Sequence, residues 1–306
     1  MDPIKSRRNI LGFYMVTLFV FGLWILMAYS IFFAAEQKPP FLHVLAVLFA
    51  AMAVYTVLMC FKNAPIIYVD EKIIKFNNAI HYWSDIQKIT LTGKQPYKYI
   101  LNVPTEGMAL KFIDGTNLYA FDHNYSNLWQ IKLFIQNVII NKESFNTPSV
   151  ERIDKNKTDH ENFRYIKGNV FFSFRGVTTW FLPLFFLALL IFDKRGFNSD
   201  AIFPVIIFCI LWLGGHSFFL YYFGVSENYL VIKNHNFFWI KAPIACADIK
   251  EVIFETRSRG PNCMRVVTKD FRTRLYPAGT LSDKKWRELL TKLRKNKVKV
   301  RNEMGI

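Results

Sequence analysis

Four long apolar stretches restrict this chain more than any other feature of its sequence. They cover residues 10–35, 42–61, 176–192 and 201–223, and the third is long enough only if it extends back through 170–174. A helix needs about 20 consecutive apolar residues to cross a bilayer. Composition agrees, because 52% of the residues are hydrophobic against about 45–50% in soluble domains. We therefore predict an integral membrane protein with four transmembrane helices.

Short polar links join these stretches in pairs. "EQKPPF" at 36–41 and "DKRGFNSD" at 193–200 are short enough that each pair should form an antiparallel hairpin. The links hold three of the 39 Lys and Arg residues and three of the 23 acidic ones. Because cytoplasmic flanks carry the Lys and Arg excess, both termini and both soluble regions are predicted to be cytosolic. The first helix is expected to be retained, since residues 33–35 make a poor signal-peptide cleavage site.

A repeated phrase indicates an internal duplication. "YWSDIQKITLT" at 82–92 and "ACADIKEVIFE" at 245–255 each place an Asp-Ile pair before a strand-like run, and Asp85 lies 163 residues before Asp248. Each soluble region ends on a helix in which a Trp, Trp129 or Trp286, recurs with leucines at helical spacing. We predict that both Trp side chains face a core. A unit of about 160 residues therefore appears twice.

The duplication divides the chain into five parts. They are a transmembrane hairpin (1–63), a soluble domain (64–142), a polar linker (143–169), a second transmembrane hairpin (170–223) and a second soluble domain with a basic tail (224–306). In each soluble region, runs of β-branched and aromatic residues come first and one amphipathic helix comes last. The predicted fold class is therefore an α+β integral membrane protein, with each hairpin followed by a cytosolic antiparallel β domain and its C-terminal helix.

This order of elements resembles a known family. A helical hairpin, strands that carry "WSDI" or "CADI", and a closing helix with a Trp are similar to bacterial membrane proteins with pleckstrin-homology-like (PH-like) domains, here in duplicate. The resemblance implies a bent antiparallel β-sandwich or barrel capped by the helix, in domains that bind protein partners or membrane headgroups. It also implies that the protein lies in a bacterial inner membrane. The ending "LYPAGTLSDKKWRELLTKL" at 275–293 also resembles small two-helix membrane proteins of the immunity type, which are found beside polymorphic toxins.

Recurring and intramembrane polar residues have structural interpretations beside functional ones. An Asp before a strand, such as Asp85 or Asp248, commonly accepts local backbone hydrogen bonds. A ligand-stacking role is the alternative for Trp129 and Trp286, although their helical spacing favours the core. His216 is ionisable inside the fourth apolar stretch, where such residues are costly. The neighbouring Gly214-Gly215 pair favours close helix packing there over a proton pathway.

The strongest charge signal lies near the C-terminus, where residues 282–301 hold nine basic residues against two acidic ones. A solvated helix face is one interpretation. Contact with an anionic leaflet is another, because each basic residue near that surface contributes about 1 kcal/mol. Nucleic acid is not expected as a partner, since no recognition motif accompanies the charge. The candidate contact residues are Lys284, Lys285, Arg287, Lys292, Arg294, Lys295 and Lys297.

The sequence contains no catalytic or metal-binding motif. There is no phosphate-binding loop, no Gly-x-Ser-x-Gly and no His-Glu-x-x-His, and the four cysteines show no metal spacing, with Cys246 and Cys263 as the one pair outside the apolar stretches. We therefore expect no enzymatic activity, no metal and no cofactor. The first functional hypothesis is binding of a protein partner, for example as an immunity factor against a membrane-acting toxin. The alternative is a regulator or scaffold that senses lipid headgroups, and self-association is compatible with either.

Overall fold

The computed structural model describes residues 3–34, 40–99, 102–146, 153, 158, 160–192, 199–256 and 260–305. These residues form two compact units, Met1–Pro148 (unit 1) and Ser149–Ile306 (unit 2). The boundary lies inside the segment 143–169 that the sequence predicts as a linker. Each unit combines apolar helices with antiparallel sheets, so the chain has an α+β fold.

Unit 1 contains a hairpin of two long apolar helices, α1 (Val16–Ala34), which follows a π-helical turn at Ile10–Met15, and α2 (Phe41–Lys62). The side chain of Asn9 accepts two backbone N–H groups of the first turn and so fixes the helix start. The rings of Trp24 and Phe49 stack 5.5 Å apart between the two helices. Two segments are long and apolar enough to cross a membrane, Ile10–Phe33 and Phe41–Lys62.

This hairpin exposes most of its large apolar side chains. Leu18, Phe19 and Val47 are 64%, 66% and 67% exposed, and they are typical of both helices. A core helix of a soluble protein buries such residues, since contiguous apolar surface of this extent is rare on soluble monomers. The apolar surface of the hairpin therefore requires an apolar environment that the described residues of unit 1 do not supply.

The described residues of unit 1 also form eight strands, one before the hairpin and seven after it, and a closing helix. One sheet has the order β1-β2-β3-β4, and in the other β7 pairs with β5, β6 and β8, all antiparallel. Asp-Gly is a sequence that predicts a hairpin turn, and Asp114-Gly115 forms one: Asp114 Oδ1 accepts the Thr116 N–H at 2.8 Å, and Gly115 has a φ of +85°. The elements are β1 (Ile4–Lys5), β2 (Ile67–Val69), β3 (Ile73–Phe76), β4 (Ala79–Tyr82), β5 (Ile86–Thr90), β6 (Lys94–Lys98), β7 (Asn102–Phe112), β8 (Asn117–Phe121) and α3 (Leu128–Phe134), which a π-helical segment extends over Ile135–Ile140.

The first strand of unit 1 precedes the helical hairpin, which the sequence does not predict. β1 pairs with β2, and the Ser6 N–H donates to Ile67 O at 2.7 Å while Ser6 Oγ accepts the Ile67 N–H at 2.8 Å. Arg8 Nε donates to Ala64 O at 2.8 Å, and its guanidinium lies 4.7 Å from the ring of Phe61. Both ends of the hairpin are therefore fixed to one sheet, and the segment 1–63 is not purely a helical hairpin.

Unit 2 contains the helices α4 (Phe174–Phe192) and α5 (Ser199–Ser217), which pack against each other. Trp212 Nε1 donates to Thr178 O at 3.2 Å, which places the end of α5 beside the start of α4. Their described apolar stretches, Phe174–Leu189 and Ile202–Ser217, are shorter than a membrane span. Four spans are therefore predicted and two are found among the described residues. The predicted fourth span also ends early, because Tyr221–Val225 forms a strand.

The strands of unit 2 form two four-stranded sheets with the orders β12-β11-β10-β9 and β15-β14-β13-β16. Neighbours are antiparallel except β13 and β16, which are parallel because α6 lies between β15 and β16 in the chain. β9 lies inside the predicted linker and pairs with β10 across the two helices, as β1 pairs with β2 in unit 1. The elements are β9 (Arg164–Ile166), β10 (Tyr221–Val225), β11 (Tyr229–Asn234), β12 (Lys241–Ala245), β13 (Ile249–Thr256), β14 (Asn262–Thr268), β15 (Thr273–Pro277), α6 (Asp283–Lys295) and β16 (Val300–Asn302).

The closing helices bury different residues in the two units. In α6 the buried stripe is Trp286, Leu289 and Leu293, and Trp286 is 0% exposed. In α3 the same spacing is occupied by Leu128, Ile131 and Ile135, while Trp129 is half-buried. The prediction that both Trp side chains face the core is therefore wrong for Trp129. The stripe position that Trp286 occupies in α6 is filled in α3 by Leu128, and Trp129 lies one residue after it.

The repeated Asp-Ile phrase forms the same connection in both units. Trp83–Asp85 and Cys246–Asp248 are single 3₁₀ turns between the first sheet and the second. The carbonyl oxygen of Asp85 accepts the Ile113 N–H at 2.9 Å, and that of Asp248 accepts the Lys269 N–H at 2.8 Å. The shared hydrogen bond uses the backbone of each Asp. The phrase therefore marks the same turn at the same point of both units.

Candidate functional site

A cavity of about 480 Å³ in unit 2 brings together three of the seven predicted basic residues. Lys292, Lys295 and Lys297 line it at the end of α6, and Arg164 of β9 joins them. Glu227 is the acidic residue of the lining, so positive charge dominates. We call this cavity the basic cleft. Its lining residues are Asn162, Arg164, Val225, Ser226, Glu227, Lys292, Lys295, Asn296 and Lys297.

The end of α6 positions the lysines of the basic cleft. The Val298 N–H donates to Leu293 O at 3.0 Å, and Lys297 has a φ of +59°, so the chain reverses directly after the helix. Asn296 Nδ2 donates to Ser226 O at 2.5 Å and thereby joins the helix end to the turn between β10 and β11. Lysines in the last turn of a helix also stabilise the helix, because their positive charges interact favourably with the negative end of the helix dipole. That effect explains Lys292 and Lys295 in part, but it does not explain why Arg164 lies beside them.

An ion-pair network joins β9 to the middle of α6. Arg164 Nη2 lies 2.7 Å from Glu288 Oε1, and Lys285 Nζ lies 3.0 Å from Glu288 Oε2. The hydrogen bond from Lys285, together with the charges of Lys285 and Arg164, holds the pKa of Glu288 below its ordinary value. Lys285 therefore forms an ion pair within α6 and does not line the basic cleft. Lys284, Arg287 and Arg294 are exposed and do not line the basic cleft, so the structure divides the seven predicted residues into two groups.

The basic cleft lies at the end of the first sheet that is remote from α5. β10 begins four residues after α5 and ends at the cleft, and β11 returns to Asn234, whose Nδ2 donates to Ser217 O at 2.7 Å. The six residues of β11 span about 17 Å at about 3.3 Å per residue. The helix α6 covers a similar distance, because the Gly279 N–H near its start donates to Phe219 O at 2.9 Å. The α5 end and the cleft end of unit 2 are therefore about 17 Å apart.

A second cavity, of about 620 Å³, lies on the outer face of the β9–β12 sheet and was not anticipated from the sequence. Lys233 and Lys241 line it and face each other in the β11–β12 register. The Lys233 ammonium lies 4.8 Å from the ring of Tyr165, and the Lys167 ammonium lies 5.2 Å from the ring of Tyr222. Burial raises the pKa of Tyr222, while Lys233 opposes that rise. No local sequence signal marks this cavity, because its lysines and tyrosines belong to four strands that only the sheet pairing brings together.

Glycine makes the aromatic surface of this second cavity possible. Gly224 pairs with Tyr165 across β9 and β10, and a Cβ atom at position 224 would lie 2.8 Å from the Tyr165 ring. The absence of a side chain lets the Tyr165 ring lie across the strand. Lys167 reaches the same ring at 5.3 Å. Lysines and tyrosines therefore cover this part of the sheet together.

The remaining predicted residues lie apart from both cavities. His216 is in the last turn of α5, with its ring stacked 4.0 Å from that of Trp212, and its Nδ1 has no hydrogen-bond partner among the described residues. A Cβ atom on Gly214 or Gly215 would meet nothing within 4 Å, so the close helix approach predicted there is not found in the described part of the chain. Asp85 is exposed and Asp248 is half-buried, each in its turn.

Metal binding and disulfide formation have no support in the described ranges. No group of three or more His, Cys, Asp or Glu side chains in these ranges could hold a metal ion. All four cysteines are free, including Cys246 and Cys263. The chain matches no protein-family model and no curated protein. The function is therefore argued from the geometry of unit 2 and from the apolar helices.

Proposed function

We propose that the protein is a membrane-anchored, non-catalytic binding protein that holds an acidic protein partner in the basic cleft. The main support for this proposal is that basic residues from two distant parts of the chain line one cavity. They are Lys292, Lys295, Lys297 and Arg164. A cluster of like charges is unfavourable in an isolated protein and becomes favourable when an oppositely charged surface covers it. The likeness of residues 275–293 to immunity-type proteins supports a toxin as one such partner.

The membrane anchor is supported by the exposed apolar helices. α1 and α2 are long enough to cross a bilayer, and lipid is the apolar environment that their exposed side chains require. α4 and α5 also expose large apolar residues, among them Phe181, Leu184, Phe203 and Leu211. We infer that they form the second transmembrane hairpin, because their pairing and their place in the repeated unit match those of the first. Two antiparallel sheets followed by a helix in each unit support the PH-like assignment.

Reporter fusions test this arrangement in the membrane. A cytosol-only reporter should be active after Lys142 and after Ile306, and inactive after residues 39 and 196, because almost all Lys and Arg residues lie outside the two short links. Cytosolic activity at residue 196 would show that the second hairpin does not cross. Periplasmic activity at Lys142 would overturn the orientation.

The distance of the basic cleft from α5 favours a protein partner over the leaflet. If α5 leaves the membrane near Ser217 and β11 runs along the membrane normal, the lysines of the cleft lie about 17 Å from that level. Charges are screened over a Debye length of about 8 Å at physiological ionic strength. The leaflet potential is therefore weak at Lys292, Lys295 and Lys297, whereas a protein surface can approach them directly. The lipid-sensing alternative loses support for this part of α6.

Charge reversal within the cleft tests the binding proposal. We expect the triple variant Lys292→Glu, Lys295→Glu and Lys297→Glu to weaken binding of a fluorescent polyglutamate peptide at least tenfold. The measurement uses full-length protein in nanodiscs of neutral lipid at physiological salt. The reason is that three attractive contacts become repulsive, and a tenfold change requires only about 1.4 kcal/mol.

The exposed basic residues outside the cleft provide a matched control. The triple variant Lys284→Glu, Arg287→Glu and Arg294→Glu changes the net charge by the same amount on the same helix, and we expect less than a threefold effect. An equal loss in both variants would show that the peptide follows net charge and would refute the cleft as a site. No loss in either variant would refute it as well.

A further inference from the structure

The loop between β11 and β12 carries the most exposed aromatic side chains near the end of α5. Phe238 is 84% exposed and Trp239 is 60% exposed. In unit 1 the corresponding connection between β3 and β4 is the short turn Asn77-Asn78. Unit 2 therefore has a longer, aromatic loop at a position where its duplicate has two asparagines. Exposed aromatic residues that adjoin one another and further exposed apolar side chains indicate an interaction surface.

Hydrogen bonds hold this aromatic loop at the level of the α5 end. Asn234 Nδ2 donates to Ser217 O at 2.7 Å, and Asn236 Nδ2 donates to Ser217 Oγ at 2.7 Å. The ring of Phe237 lies 5.2 Å from that of Phe218, the residue after α5. The backbone and side chain of Ser217 thus attach the loop to the helix. Wherever the end of α5 lies, the loop lies beside it.

Further exposed phenylalanines lie at the same level. Phe172 and Phe174 flank the start of α4, and both are more than four-fifths exposed. The start of α4 lies beside the end of α5 because Trp212 contacts the Thr178 carbonyl. Phe218 is also exposed. Trp and Tyr rings at one level are typical of the boundary between membrane and water, and Phe is common on apolar surfaces that lie within that boundary.

The loop itself carries no charged residue, and lysines lie on the two strands that flank it. The six residues 235–240, His-Asn-Phe-Phe-Trp-Ile, include no Asp, Glu, Lys or Arg. Burial, with the nearby charge of Lys167, lowers the pKa of His235 to about 4, so that His235 is neutral at pH 7. Lys233 and Lys241 stand at the base of the loop, one on each strand. A loop with an uncharged aromatic tip and two lysines at its foot is suited to a membrane with anionic headgroups, because the rings can enter the lipid while the lysines contact the headgroups.

We propose that Phe238 and Trp239 insert into the interfacial layer of the lipid bilayer, with Lys233 and Lys241 facing the headgroups. This inference rests on the proposed function, because it requires α5 to leave the membrane near Ser217. It fixes the orientation of unit 2 at the membrane: the α5 end of the first sheet faces the lipid, and the basic cleft faces the cytosol. The lipid contact and the partner contact then lie at opposite ends of one sheet.

A fluorescent label at the loop tip tests the insertion. Full-length Phe238→Cys is labelled with an NBD group and reconstituted in nanodiscs that contain anionic lipid. We expect blue-shifted emission, protection from aqueous iodide, and quenching by a lipid-borne spin label. The control is Glu227→Cys, at an exposed residue beside the basic cleft, whose label should be quenched by iodide and not by the lipid-borne quencher. Unsubstituted protein gives the background from the four native cysteines.

The two possible failures are distinguishable. If iodide quenches the label at position 238 as strongly as the label at position 227, the loop lies in water and the inference is overturned. The reporter fusions would in that case still show the predicted pattern. If α5 does not cross the membrane, the fusion after residue 196 is active in the cytosol, and both the anchor and the loop insertion are refuted together.

Discussion

Replacing Trp286 by alanine should lower the free energy of unfolding of unit 2 by about 3–5 kcal/mol. The indole is fully buried, with ring centroids of Phe254 and Phe223 at 5.0 and 5.9 Å, so its removal leaves a large apolar cavity. Its Nε1 has no hydrogen-bond partner among the described residues, so the loss is one of apolar packing. Native-state hydrogen exchange of the β10 and β13 amides, measured on full-length protein in detergent, gives the change directly.

The corresponding Trp of unit 1 is the matched control. Trp129 is half-buried beside the buried stripe of α3, so Trp129→Ala should cost clearly less, about 1–2 kcal/mol, in the exchange of the β7 amides. A loss below about 1 kcal/mol for Trp286→Ala would contradict the packing described for α6. Equal losses in the two variants would contradict the one-residue difference between the two stripes.

Sequence patterns predicted the elements whose residues are close together in the chain. The hairpin of α1 and α2, the Asp114-Gly115 turn and the buried Trp286 all depend on spacings of a few residues. The predicted order of strands before helix fails at the end of unit 2, where β16 follows α6. β1 and β9 were not predicted, because they have two and three residues and pair with strands that lie beyond an entire helical hairpin. The pairing of such short strands is determined by tertiary contacts, and periodicity cannot report it.

The same distinction applies to the basic cleft. Lys292, Lys295 and Lys297 are evident as a basic cluster because they belong to one helix end. Arg164 was placed in a linker, and only the pairing of β9 with β10 brings it to Glu288 and to the cleft. Without that contact, a solvated helix face and a contact with the leaflet explain the basic cluster equally well. The distance from α5, which depends on the strand order, is what separates these interpretations.

A buried ion pair in unit 1 gives the second large expected effect. Lys132 lies in the buried part of α3 and is only 1% exposed, and its Nζ lies 2.5 Å from Asp122 Oδ1. In α6 the equivalent position, counted from the buried stripes, is Leu290, which packs against an apolar core. Nothing in the local pattern of α3 marks position 132 as buried, because Lys is normally exposed. The burial is possible only because Asp122, in the turn after β8, provides the opposite charge.

Removing one member of this pair should be more damaging than removing both. Asp122→Ala leaves the Lys132 ammonium buried without its partner, and we expect a loss of about 3–5 kcal/mol in the unfolding free energy of unit 1. The double variant Asp122→Ala with Lys132→Leu takes the apolar side chain that α6 has at this position, and it should recover most of that loss. Hydrogen exchange of the β7 and β8 amides in full-length protein measures both. If the double variant is as unstable as Asp122→Ala alone, the damage comes from lost packing around Asp122, and the account based on an unpaired charge is wrong. Recovery would show that unit 1 retains a costly ion pair where its duplicate uses leucine, and that the charges themselves contribute little to the net stability of the fold.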